Sequence, residues 1–314
     1  MKSTTKPSVL LIGAGAVGSY FAGRCAAAGK IELTAVFRHD TEAVRRDGIR
    51  AESIAGDFTV RPRIVAAASE YGKEPDWIIL ATKVLPEIDP VALIGEALGP
   101  KTGILLIQNG LGIEEPIAQA FPGHPLLSAV AYIGVSRTET PGVVRHIGSG
   151  RLKLGDYPGG GAPDALAMWT RIFTASGVPV TAERDIVRAR WFKLLWNIPY
   201  NGISVVGGRV GTKRMVEDPE LAELAERLMK EIQAVAASEG RILTDREIQD
   251  NIDYTRNFPD YKTSMLLDFE ARRPLECQAI VGNALAAARK NGVPAPTLQA
   301  LFALLASCDR ENRC

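Results

Sequence analysis

Cysteine and histidine are scarce in this chain, four and three among 314 residues. Cys25, Cys277, Cys308 and Cys314 show no C-x-x-C spacing, which argues against a zinc site or a disulfide framework, so they read as reduced thiols of a cytoplasmic protein. His39, His124 and His146 stand apart from one another, and no histidine-built metal centre is expected. Long hydrophobic runs are also missing. Met1 to Ser8 is polar, with Lys2 and Lys6, and the apolar run behind it is too short and too glycine-interrupted for a signal peptide or a membrane span. An excess of one charge is lacking too: 37 basic residues face 36 acidic ones, a net charge of +1. That balance gives no general electrostatic reason to bind nucleic acid or an anionic membrane. The chain shows neither an internal repeat nor a low-complexity linker.

What is present is enough apolar material for substantial cores, 46% hydrophobic residues against 23% charged. The length exceeds a typical single domain, so two domains are expected, residues 1–184 and 185–314. The first is expected to be α/β, a Rossmann-type doubly wound sheet with an antiparallel extension. The second is expected to be all-α.

Val9-Leu10-Leu11-Ile12 is a wholly apolar run, the mark of a strand buried on both faces of a parallel sheet. Gly13, Ala14, Gly15, Ala16, Val17 and Gly18 then spell G-x-G-x-x-G ahead of a small-residue helix that stops at Gly29. Gly13 permits the tight turn, Gly15 lets the backbone approach a pyrophosphate, and Gly18 lets the helix pack on the strand. The helix start supplies free N–H groups and a positive dipole for phosphate. Its setting between strand and helix favours dinucleotide binding over a plain connection.

The second strand, Leu33 to Phe37, ends at Arg38, where an acidic residue would hold the ribose 2′-hydroxyl of NAD. An arginine can instead pair bidentately with a 2′-phosphate, which favours NADP; the alternative is a solvated surface arginine. Residues from Ile54 to Val65 suggest short antiparallel strands turning at Gly56-Asp57. Asp76 to Ala81 reads as a strand delivering Thr82-Lys83 to its carboxyl edge, where ligands of such sheets bind. Pro86 to Leu98 suggests a crossover helix. Strand Gly103 to Ile107 then brings Gln108-Asn109-Gly110 to the same edge. Alternation over Leu126–Val135, Gly142–Ile147 and Arg151–Leu154 suits three antiparallel strands.

From Arg190 to Asn201 the spacing predicts an apolar helix on which Lys193, Asn197 and Asn201 recur every four residues, along one face. Among Leu194, Leu195, Trp196 and Ile198 that polar stripe must find partners, as a cleft wall would provide. Partial desolvation would lower the lysine pKa and ease proton donation. A snorkelling lysine with asparagines bonded to the neighbouring domain is the alternative. Pro199 removes a backbone donor and bends the helix before Asn201.

Taken together, GAGAVG, Arg38, Lys83 in Ala-Thr-Lys, Gln108-Asn109-Gly110, the K-x-x-x-N-x-x-x-N run from Lys193, and Ser264-Met265-Leu266-Leu267-Asp268 with Glu276 resemble the ketopantoate reductases, nearly end to end and in the same order. The resemblance implies NADPH-dependent reduction of 2-dehydropantoate (ketopantoate) to D-pantoate on the route to coenzyme A. By the same likeness Lys193 matches the general acid and Glu276 the active-site carboxylate. Asn109, Asn197, Asn201 and Ser264 match substrate contacts. Gly13, Ala14, Gly15, Ala16, Val17, Gly18, Arg38, Lys83, Asn109 and Glu276 match cofactor positions for NADP(H). The chain departs from the family around Glu276, reading Ala271-Arg272-Arg273-Pro274-Leu275-Glu276-Cys277-Gln278. That bears on the substrate more than on the reaction type. Cys277 has no adjacent basic partner and reads as packing. A related hydroxyacid or polyol-phosphate dehydrogenase is the alternative, though only Arg188 and Arg190 stand near Lys193 to hold a phosphate. A non-catalytic NADP sensor is another. Leucine- and alanine-rich helices could pair subunits in a homodimer or form internal core.

Overall fold

The structure, a computed structural model, describes residues 6–313. Lys2 and Cys314 lie outside the described residues. Ten strands run in chain order: β1 (Ser8–Ile12), β2 (Glu32–Val36), β3 (Ile49–Ser53), β4 (Phe58–Val60), β5 (Arg63–Val65), β6 (Trp77–Leu80), β7 (Gly103–Leu106), β8 (Leu126–Arg137), β9 (Val143–Asp156) and β10 (Val180–Ala182). The helices are α1 (Ala16–Ala27), α2 (Thr41–Asp47), α3 (Pro90–Gly95), α4 (Glu115–Ala120), α5 (Pro163–Ala175), α6 (Ile186–Val206), α7 (Thr212–Glu217), α8 (Pro219–Ser238), α9 (Asp245–Asn257), α10 (Ser264–Glu270), α11 (Asn283–Lys290) and α12 (Pro296–Asn312). The chain divides into two compact units. The first holds every strand, and the second comprises residues 84–87, 109–112 and 187–314.

All strands join one sheet in the order β4-β3-β9-β8-β7-β6-β1-β2-β5, with β10 alongside β9. From β8 to β5 every neighbouring pair is parallel. β9 is antiparallel to β8 and forms the extension. The fold is therefore a Rossmann-type α/β sheet with an antiparallel extension, followed by a helical region. Val9, Leu10 and Leu11 are fully buried, as are Ile78, Ile79, Leu80, Leu105 and Leu106. Strands covered on both faces need apolar residues at consecutive positions, which explains the unbroken runs.

The first unit differs from the expectation in three places. β5 pairs in parallel with β2 and not with the β3–β4 hairpin. Three residues carry no signal of strand direction, and the edge of β2 offers the free backbone groups. The segment from Val143 to Asp156 is one long strand, because β9 bulges at Gly150, opposite Tyr132 and Ile133, and again at Ile147, opposite Gly134 and Val135, so that the ladder with β8 continues through its glycines. The crossover helix spans only Pro90–Gly95, since Asp89 accepts from the amides of Val91 and Ala92 and starts it there, with Pro90 at the first helical position.

The second unit has its own core. Trp191, Leu194, Leu195 and Ile198 of α6 pack with Leu228, Met229 and Ile232 of α8 and with Leu298 and Leu305 of α12. α6 continues through Pro199. Asp218 caps α8 through the amides of Glu220 and Leu221, and Thr244 closes a capping box with Glu247 on α9. Between Glu276 and α11 the chain makes a π-helical turn, Gln278–Gly282.

Candidate active site

In the first unit the glycine turn is shaped by backbone sterics. Gly13 has φ of +94°, and a Cβ there would strike the backbone of Ala81 and Thr82. Gly18 faces the Gly13 carbonyl, and a Cβ on it would lie 3.0 Å from the Ala81 methyl. Gly15 differs: nothing lies within 4 Å of where its Cβ would be. The turn is thus closed on the sheet side and open at Gly15, a space that suits a phosphate. The ladder of α1 begins only when Ser19 N donates to Gly15 O at 2.9 Å, so the preceding amides of Ala16, Val17 and Gly18 start the helix. No acidic residue stands in that first turn. These residues fit a dinucleotide pyrophosphate.

Arg38 follows β2 by two residues and is exposed. Thr82 and Lys83 follow β6. Gln108, 8% exposed, ends β7's loop by donating through Nε2 to Thr82 O at 2.9 Å and Thr82 Oγ1 at 3.0 Å, which ties the two strand ends together.

In the second unit Lys193 Nζ donates to Asn109 Oδ1 at 2.6 Å. Burial draws its pKa down to about 7, helped by the Arg190 charge and opposed by Glu276. Asn197 and Asn201 follow on the same face and are 6% and 2% exposed. Met265 N lies 3.4 Å from Asn201 Oδ1, so the α10 start that bears Ser264 is bonded to the stripe. Ser264 itself is exposed. Glu276 Oε1 accepts from Val84 N at 2.9 Å. Lys193, Asn109 and Glu276 are therefore brought together by contact or charge.

Several participants escaped sequence reasoning. Arg190, 3% exposed, donates from Nη1 to Gly110 O at 3.1 Å. Leu111 N donates to Ala279 O of the π turn at 3.0 Å, and Asn283 Nδ2 donates to Leu111 O at 2.7 Å. Gly110 has φ of +101° and approaches Ala279 so closely that a Cβ would come within 2.8 Å of its carbonyl oxygen. The positive φ was the one available signal, through the Asn-Gly pair. Cys277 is buried, its thiol is pushed up to about 12 by burial, and its Sγ lies 3.8 Å from Leu305 O. A thiol so raised packs and does not react at neutral pH.

A Rossmann-type sheet with an open glycine turn, and a helical unit holding a desolvated lysine beside an amide and a carboxylate, define a class of two-part nucleotide-binding proteins. Sequence comparison narrows that class. Residues 9–159 match the family described as ketopantoate reductase PanE/ApbA, and residues 185–308 match its C-terminal counterpart. The chain belongs to the ketopantoate reductase PanE/ApbA family. It is 35% identical to the 2-dehydropantoate 2-reductase of Nostoc sp., over 96% of this chain and 95% of that protein. Among solved structures, a 2-dehydropantoate 2-reductase from Methylococcus capsulatus is 38% identical, with a TM-score of 0.90 over 98% of each chain. One from Geobacter metallireducens is 31% identical, with a TM-score of 0.90 over 96% of this chain and 99% of the other. Among the described residues no helix is long and apolar enough to cross a membrane.

Proposed function

We propose that this protein reduces a 2-oxo acid with NADPH, and that the substrate is 2-dehydropantoate, converted to D-pantoate in the cytoplasm. The relatives bearing that name support the substrate. The carrying observation is Lys193, an ammonium drawn down to about 7 and hydrogen-bonded to Asn109.

The turn from Gly13 through Ala14, Gly15, Ala16 and Val17 to Gly18 would hold the pyrophosphate, with Lys83, Asn109 and Glu276 as further contacts and Arg38 receiving the 2′-phosphate. When bound, NADPH supplies the hydride equivalent. The chain's own contribution is the proton. Lys193 donates from Nζ to the substrate's carbonyl oxygen as negative charge gathers there, and a pKa near neutrality makes that donation favourable. Asn109 orients the ammonium, while Glu276 keeps part of the lysine population protonated. Asn197, Asn201 and Ser264 offer amide and hydroxyl groups for the substrate's carboxylate and hydroxyl. On this reading residues 1–184 carry the cofactor and 185–314 the acid.

The test is the loss of NADPH absorbance with ketopantoate and a panel of other 2-oxo acids, in wild-type protein and in Lys193→Ala. Turnover of ketopantoate that falls about a hundredfold or more in the variant is expected. Turnover of a different oxo acid alone would overturn the substrate, and none at all would overturn the reaction. With Arg38→Ala, the KM for NADPH should rise about tenfold and that for NADH should hold.

A further inference from the structure

We propose that Arg190 is a positioning residue for the Lys193–Asn109 pair: its guanidinium grips the Gly110 carbonyl and thereby sets the neighbouring Asn109 amide against the lysine ammonium. The proposal rests on the reading of Lys193 as the proton donor.

Arg190 and Lys193 are three apart on α6 and so lie on one helical face. The segment they reach is a single turn: Lys193 takes the side chain of Asn109, and Arg190 takes the carbonyl of the next residue at 3.1 Å. Gly110, at φ of +101°, sits in a conformation with little steric preference of its own for glycine, so the turn depends on outside contacts to stay put. Leu111 is held from the other side by Ala279 and Asn283. Of these anchors Arg190 alone shares a helix with Lys193, which fixes the two donors in a constant relation.

A buried arginine three residues from a half-buried lysine is a costly placement, because guanidinium remains charged and the two repel. The charges facing the Lys193 ammonium are Arg190 on its own helix and Glu276 ahead of the π turn, and the 109–112 turn supplies the neutral Asn109 amide. Loss of Arg190 would therefore remove the repelling charge, which raises the affinity of Lys193 for its proton, and would free the Asn109 amide to drift from the ammonium it accepts from, which loosens the donor's orientation.

The experiment is an NMR titration of full-length protein labelled with 13C at the lysine ε carbons, without substrate, the Lys193 signal being assigned by its loss in Lys193→Ala. Wild type, Arg190→Gln and Arg190→Lys are compared, with thermal unfolding recorded for each. In Arg190→Gln the Lys193 titration should move upward by about one pH unit. Its kcat for the oxo acid should fall about tenfold with the KM for NADPH unchanged. Arg190→Lys keeps a cation and one donor, so it should shift less, and it serves alone if the glutamine variant fails to fold. Titrations that coincide with wild type while only the unfolding temperature falls would overturn the proposal and leave Arg190 a structural residue. A shifted titration in a protein that turns over no oxo acid would uphold the positioning role and refute the function proposed above.

Discussion

Lys193 on α6 and Asn109 at the end of the β7 loop are 84 residues apart in sequence and 2.6 Å apart at Nζ and Oδ1. The amide oxygen accepts from the ammonium, so the bond orients a donor that burial has made ready to release its proton.

Rate should follow the protonation of that donor. As pH rises through about 7 the ammonium is lost, so kcat for oxo-acid reduction should decline on the alkaline side, and oxidation of the hydroxy acid, which needs the neutral amine, should rise over the same range. Glu276→Gln removes the one charge that favours the ammonium while keeping an oxygen for Val84 N. Its alkaline limb should move to lower pH by about one unit. An unmoved limb would show that Lys193 does not set the profile.

The same desolvation has a cost in stability. Between about 7 and the ordinary lysine value of 10.5 the unfolded chain holds a proton that the folded chain has released, so the penalty is full below about 7 and vanishes above about 10.5. Lys193→Met should therefore be inactive yet more stable than wild type, by on the order of a few kcal/mol at pH 6 and by less at pH 9. Denaturant unfolding at the two pH values measures the difference. Equal gains at both would mean that the lysine is not desolvated in the folded protein.

Much of this arrangement is written locally. G-x-G-x-x-G is legible because each glycine answers a steric demand of its own turn, and the Lys193, Asn197, Asn201 stripe because spacing by four defines a helix face. What was hidden is non-local. In sequence Arg190 reads only as a basic residue near Lys193 that could hold a phosphate, since its partner Gly110 is 80 positions away. The Val84–Glu276 bond spans 192 positions, and a π turn leaves no periodic trace in composition. In sequence the long β9 strand resembles two, because Gly148, Ser149 and Gly150 interrupt its alternation, and Ser149 and Gly150 take positive φ there.

Gly13 and Gly15 should separate stability from cofactor affinity. A Cβ at Gly13 would meet the backbone of Ala81 and Thr82 at a φ that disfavours side chains, so Gly13→Ala should lower stability by about 2 kcal/mol or more. At Gly15 the space is empty and φ is −78°, so Gly15→Ala should unfold at the wild-type temperature. Its methyl would instead occupy the opening, and NADPH affinity by fluorescence titration should fall about tenfold or more, equivalent to roughly 1.4 kcal/mol. Unchanged affinity in a folded Gly15→Ala protein would rule out the turn as the pyrophosphate site.

Arg272 occupies the left-handed position that ends α10, with φ of +51°. Its amide donates to Phe269 O at 3.1 Å and that of Arg273 to Asp268 O at 2.8 Å, the pair of bonds of a Schellman cap, in which this position favours glycine. A side chain there costs about 1 kcal/mol, and part of the gain from removing it is offset by the greater freedom of glycine in the unfolded chain. Arg272→Gly should therefore raise the unfolding temperature by about 1–2 °C. Arg272→Ala, which keeps the Cβ, should leave it unchanged. A lower temperature for the glycine variant would mean that the arginine side chain makes contacts worth more than the strain it imposes.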